Sequence, residues 1–283
     1  MKRNMYLFVL SIILVFALSC TTPPVPQPPS QEEAYRDETP PQLRVTFSPQ
    51  YFSPDGDREE LAIFLSAIDD SPIGKWKVEV HEPQPPFQLF YQWEGQGTPP
   101  DVITWNGKGS NGELVQSASD YPFVFTASDV YGNTSRFESL IEVDVIVLRE
   151  GDNLRMQIPS IVFSSDSGSW DGLDDNIVEN NLWILRRVAQ ILTKFSDYKA
   201  WIEGHANHTV DPNDRARHQR EQSIELQPLS EIRAKRILDE LVMLGIDPKR
   251  LNSYGLGGVK PVVPWEDRDN WWKNRRVEFI LIR

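Results

Sequence analysis

Cysteine is almost absent from this 283-residue chain: Cys20 stands alone, so no intramolecular disulfide can form. Positive charge is short as well, with 29 Lys and Arg against 41 Asp and Glu and a formal net charge of −12. A surface of that sign repels phosphate backbones, which argues against nucleic acid as a partner. The longest apolar run, Met5 to Leu18, has 14 residues, short of the ~20 that an apolar helix needs to span a bilayer. Histidines number four, and no HExxH, CxxC or Gly-x-Ser-x-Gly pattern accompanies them. With carboxylates scattered rather than paired, the chain reads as a non-enzyme that holds no cofactor.

What is present is ordered along the chain. Lys2 and Arg3 precede the apolar run and Ser19-Cys20 follows it, which is the layout of a signal peptide. The junction resembles a bacterial lipoprotein lipobox, although Ala17 stands where that motif favours leucine. The resemblance implies that residues 1–19 are removed and that Cys20 becomes a lipidated N-terminus. A plain secretory signal or an uncleaved anchor is the alternative, and in each case the remainder is exported. Residues 20–42, "CTTPPVPQPPSQEEAYRDETPPQ", are proline-rich and acidic. They read as a semi-rigid tether of about 3 Å per residue.

Residues 43–148 alternate apolar and polar positions in "LRVTF", "LAIFLSA", "KWKVEV", "FQLFYQW", "VITW", "YPFVFTASD" and "IEVDVIV". Seven such segments, with Asn-Gly turns in "WNGKGSNG", predict an all-β sandwich. "FSPQYFSPDGDREE" and "WNGKGSNGELV" resemble the FlgD-like immunoglobulin-type repeats of exported bacterial proteins, which implies an immunoglobulin-like fold. Asp55, Asp57 and Glu59 group hard oxygens suited to calcium, against the plainer reading of a turn. Trp76, Trp93 and Trp105 read as packing residues rather than a carbohydrate platform.

Across residues 155–283 the period changes. Val178, Leu182, Leu185, Ala189, Leu192 and Phe195 fall at helical spacing, and "YKAWIEG" is a short strand. A second helix is predicted from an N-cap at Ser230 to Gly245, followed by "LNSYGLGG" and the closing strand "RRVEFILI". The order strand, helix, strand, helix, strand, strand predicts an α/β sandwich, βαβαββ, as the second of two domains.

The stretch "WIEGHANHTVDP" puts His205 and His208 three residues apart. With Asp211 or His218 they suggest a metal-dependent hydrolase, but the surrounding loop lacks a zinc framework. The words "IEGHAN", "LQPLSEIRA" and "NRRVEFILI", in that order, resemble the C-terminal domain of the OmpA family. The resemblance covers roughly Leu154 to Arg283. It implies an OmpA-like domain that grips the diamino acid of the peptidoglycan stem peptide without a covalent bond. The residues it implicates are His205, Asn207, Ser230, Arg233, Asn274 and Arg276. Arg233 would fork onto a carboxylate near the helix N-terminus, and His205 would be structural. For Arg275 a surface role is equally open.

Two departures stand out. Asn207 replaces the family's aspartate, so the ligand's ammonium would meet an amide oxygen without charge. Leu226 replaces an asparagine. Asp211 or Asp214 is a candidate substitute carboxylate, against a merely solvated loop. The expected function is a lipid-anchored tether between the outer membrane and the cell wall, on the periplasmic face, with the sandwich as spacer or envelope-partner module. The alternative is an envelope scaffold protein whose OmpA-like domain has lost wall binding.

Overall fold

Alternation of side chains across each strand sets the first half of the fold. The strands are β1 (Gln42–Ser48), β2 (Tyr51–Phe52), β3 (Leu61–Ile68), β4 (Ile73–His81), β5 (Leu89–Gln96), β6 (Val102–Trp105), β7 (Asp120–Asp129) and β8 (Thr134–Val143). In β3, Leu61, Ile63 and Leu65 point inward while Phe64 is exposed. The computed structural model describes residues 37–54 and 60–283. Among these, one sheet runs β1-β3-β6 and another β2-β8-β7-β4-β5. Residues of both sheets, including Val45, Ile63, Val78, Phe123 and Phe125, share one apolar cluster. The signal segment, Cys20, residues 20–36 of the tether, and Asp55, Asp57 and Glu59 lie outside the described residues. Both Asn-Gly turns form, with positive φ at Gly107 and Gly112. Trp105 is buried, Trp76 and Trp93 pack against the same cluster, and Trp93 meets Trp105 edge-on.

One expected strand is displaced. The alternation in "IEVDVIV" predicts strand throughout, but β8 begins earlier and stops at Val143. Asp144 ends it, because its N–H donates to Phe52 O at 2.8 Å and its carboxylate accepts from Val145 N and the Arg187 guanidinium.

The second half combines β9 (Leu148–Glu150), β10 (Asn153–Ile158), α1 (Asp175–Lys194), β11 (Lys199–His205), α2 (Arg215–Glu221), α3 (Gln227–Met243), β12 (Leu251–Gly257) and β13 (Val277–Ile282). Their sheet is ordered β12-β11-β13-β10-β9, with β11 and β12 parallel and the other pairs antiparallel. Ile184, Leu185, Val188 and Leu192 of α1, with Ala234, Ile237 and Leu241 of α3, pack on Met156, Ala200, Ile202, Phe279 and Leu281. Each of the large side chains contributes about 1.5–3 kcal/mol by leaving water.

The helix expected to begin at Ser230 begins earlier. α2 and α3 are joined without a break by a π-helical turn, Gln222–Leu226, so Ser230 is an interior residue and not an N-cap. Pro228 explains the widened turn. Its ring crowds the carbonyl four residues back and it has no N–H to donate, a conflict that a local π turn relieves. The start of α2 is capped by Asp214, which accepts from Arg217 N at 3.3 Å.

Two glycines let α3 settle on the sheet. A Cβ at Gly204 would lie 2.2 Å from Ser230 O, and one at Gly255 would lie 2.3 Å from Glu231 N. Gly255→Ala is therefore expected to cost about 1–3 kcal/mol by overpacking against immovable backbone, read as a lowered urea midpoint at unchanged slope.

Residues Asp37–Arg283 form one compact unit. Its halves are joined by a buried charge cluster. Lys273, 3% exposed in its side chain, lies in the 3₁₀ segment Arg268–Asn274 and donates to Glu82 at 2.8 Å and Glu113 at 2.9 Å. Burial pushes the Lys273 ammonium down, and the two glutamates more than reverse that, leaving it above its usual value. The same seam carries Arg187 on Asp144, Gln88 on Asp269, and Tyr51 against Trp183.

A candidate anion cavity at the seam

The end of β11, the start of β13 and the middle of α3 converge on a cavity of about 260 Å³. Segment 159–163 forms one wall, and buried Asn181 of α1 fixes it, accepting from Val162 N at 3.0 Å and donating to Val162 O at 2.8 Å. His205, Arg233, Arg275 and Arg276 supply the charged or titratable lining, and Trp272 and Phe163 supply aromatic surface. Gln84 and Ser119 come from the first half of the chain.

The three arginines differ. Arg276 is buried and spent: its Nε donates to Glu278 at 2.6 Å, and Nη2 also reaches Lys260 O at 3.1 Å. Arg233 is half-buried, with Nε donating to Ser167 O at 3.0 Å and the guanidinium 5.1 Å from the Phe163 ring centroid. Burial pushes it below its usual value, Asp166 pulls it back in part, and Arg275 adds repulsion. Arg275 is exposed to solvent on one side, and partial desolvation on the cavity side lowers it below its usual value. Among the described residues no carboxylate lines the cavity, and neither Arg233 nor Arg275 makes an ion pair. Two guanidiniums in the lining of a cavity that holds no acid give it the charge to take an anion.

His205 is 3% exposed, and neither ring nitrogen makes a hydrogen bond within the protein. Burial first, then Arg276, lowers it from 6.5 to about 4, so it is neutral at pH 7. Its Nε2 lies 3.7 Å from Glu203 and 3.8 Å from Glu278. These three have the spacing of a metal cluster, yet Lys260, Arg155 and Arg276 already occupy the carboxylates.

The expected partners of Arg233 lie elsewhere. Ser230 is buried, its Oγ donating to Gln227 O at 2.9 Å and accepting from Gly257 N at 2.8 Å. Asn207 and Asn274 pair with each other: Asn274 Nδ2 donates to Asn207 Oδ1 at 2.7 Å, and Asn207 Nδ2 donates to His208 O at 2.7 Å. Asn274 also braces the loop that precedes it, accepting from Val262 N and Val263 N at 2.8 and 3.0 Å. Both asparagines line a second, more open cavity of about 580 Å³ with His208, His218 and Trp265. Asp211 and Asp214 serve a local turn and the α2 cap, and neither lines the arginine cavity. The metal pair suggested by spacing does not converge. His208 Nδ1 bonds Glu221 at 2.7 Å and its ring stacks on His218 at 3.5 Å, while His205 faces the arginine cavity. Asp37, Asp69 and Asp129 form a further acidic group, in the first half of the chain.

No family model matches this chain. It is 26% identical over 138 residues to Probable lipoprotein YiaD of Escherichia coli (strain K12), an alignment covering 48% of this chain and 55% of that protein. Motility protein B of Helicobacter pylori (strain J99 / ATCC 700824) is 24% identical over 232 residues, 78% of this chain and 80% of the relative. Peptidoglycan-binding protein ArfA of Mycobacterium tuberculosis (strain ATCC 25618 / H37Rv) is 30% identical over 121 residues, 43% and 32%. The chain thus spans about half the length of the first of these and about a third of the last. No helix among the described residues is long and apolar enough to cross a membrane.

Gln84 and Ser119 had no signal in the sequence, because they reach the cavity only through the packing of the two halves, and Phe163 and Trp272 stand outside any motif word. Arg275 did have one: it adjoins Arg276 in the "NRR" word, and in the fold it is a largely exposed residue at the edge of the cavity lining.

Proposed function

We propose that this chain is an envelope protein that binds peptidoglycan non-covalently, taking a stem-peptide carboxylate between Arg233 and Arg275. The observation that carries the reading is the pair of guanidiniums without ion-pair partners in a cavity that contains no acid. The OmpA-like words in the sequence and the names of the relatives support it. The chain acts as a binding protein and not as an enzyme. Cys20 carries the lipid that anchors it to the outer membrane, residues 20–42 span the distance, and an immunoglobulin-like first half meets the second across the seam. Two weak attachments on one chain make a firm tether by raising effective concentration.

A specific observation favours a second reading, a scaffold that has lost wall binding: Asn207 spends its side-chain oxygen on Asn274 and faces the other cavity. Co-sedimentation of the full chain with purified sacculi decides between them. Binding is expected, and Arg233→Ala is expected to weaken it about 10- to 100-fold, the cost of one or two charge-assisted hydrogen bonds. A wild-type chain that stays in the supernatant overturns the wall-binding reading and leaves the scaffold.

A further inference from the structure

The cavity fits only part of the ligand that the family resemblance implies. A diamino acid with a free amine carries an ammonium next to its carboxylate. An ammonium needs an acid or several well-placed acceptors, and burial beside like charge is costly. Here Asn207, the family's ammonium partner by position, belongs to the neighbouring cavity. Glu278 is held by Arg276 and Arg155, and Glu203 by Lys260. Asp211 and Asp214 are spent locally. Asp166, which acts on Arg233, is exposed and outside the lining, so Arg233 and Arg275 face the space with no negative group lining it.

The uncharged groups are of a different kind. Ser160 Oγ and both nitrogens of His205 are buried without hydrogen bonds in the protein, and both residues line the cavity. Such groups want a neutral donor or acceptor from whatever enters. Gln84 at the exposed rim adds an amide, which can donate and accept at once.

We propose that the cavity selects a carboxylate whose neighbouring amine is acylated, as in the cross-linked form of the wall peptide, over the same group with a free ammonium. The carboxylate lies between Arg233 and Arg275. The amide N–H finds Ser160 Oγ or a neutral His205 nitrogen, and the acyl carbonyl meets Gln84 at the rim. Recognition of the acylated form thus depends on a residue from the first half of the chain. This rests on the wall-binding reading and adds a selectivity to it.

Calorimetric titration of the full chain in detergent tests it with two synthetic probes. One is a stem tripeptide ending in the diamino acid with its distal amine free. The other is the same peptide acetylated on that amine. The acetylated probe is expected to bind about tenfold tighter, and Gln84→Glu, which restores a carboxylate at the rim, is expected to narrow or reverse that ratio. A free-amine probe that binds the wild type equally or better overturns the selectivity while leaving wall binding intact. An unchanged ratio in Gln84→Glu removes the first half from recognition and overturns the proposal as stated. If neither probe binds and sacculi do not sediment the protein, the wall-binding reading itself falls and the selectivity with it.

Discussion

Lys273→Met is expected to destabilise the protein by about 3–5 kcal/mol, the usual cost of removing one partner from a buried ionic cluster. Methionine keeps the length and volume of the stem, so the loss is chiefly electrostatic. Glu82 is buried, and desolvation holds its carboxyl above the ordinary range even with the lysine present. Without the ammonium it must either stay charged and unpaired or take up a proton. Glu113, whose other side-chain contact is Gln116 Nε2 at 3.0 Å, loses its partner too. Adding Glu82→Gln and Glu113→Gln to Lys273→Met is expected to recover much of the loss, because no buried charge is then left alone. Chemical denaturation of the single and triple variants measures both. An equal loss in the triple would mean that the seam depends on shape and not on charge. Sacculus binding should fall along with stability in the single variant, since Trp272 and Arg275 flank Lys273 and line the cavity.

Acid should weaken the fold through His205 well before general acid unfolding. Its folded value of about 4 lies below the ordinary 6.5. Between those limits the unfolded chain binds a proton that the folded chain refuses. Stability from this group is full above about pH 6.5 and is lost progressively as pH falls toward 4, with a total of about 3 kcal/mol. The groups facing the ring are Glu203, Glu278, Arg276, Lys260 and Arg155, so positive neighbours outnumber negative ones. Unfolding free energies at several pH values, for wild type and His205→Gln, check the assignment. The wild type should show the slope and the variant should not. Glu221 contributes in a lower window: it is held at about 2 by Thr209 and His208 against the pull of burial, so its share is lost below about pH 4.5.

Much of this architecture is written locally in the chain. β3, β4 and β7 were legible because their inward positions recur every second residue with large apolar side chains. β8 was only half legible: Arg136 and Glu138 point outward at its start, and polar alternation looks like loop. The α2 helix was missed for a related reason, since "DRARHQRE" has no apolar stripe and gains its place from Asp214 and the His208–Glu221 contact. Ser230 looked like an N-cap because serine before an amphipathic run usually is one. Its actual partner, Gly257 N, comes from a strand 27 residues away. The arginines of the site were legible from motif words, but their surroundings were not. Which carboxylates remain available depends on pairings such as Glu278 with Arg155, and that one exists only once β13 lies beside β10.

The π-helical turn at Gln222–Leu226 bears on how the chain tolerates insertion and deletion. A single-residue deletion there would let the widened turn close into α-helical winding, because the π turn already accommodates one extra residue, and α2 would keep nearly its present phase on α3. An insertion is different: one further residue wound as α-helix would turn α2 by roughly 100°. His218 would then leave the face of His208, Glu221 would swing away from its imidazole, and the wall of the larger cavity would be lost while α3 kept its seat on the sheet. The segment thus tolerates the loss of a residue better than the gain of one, and Ser223 and Glu225 are free to vary while Gln222 is held by Leu256 O and Gly258 N.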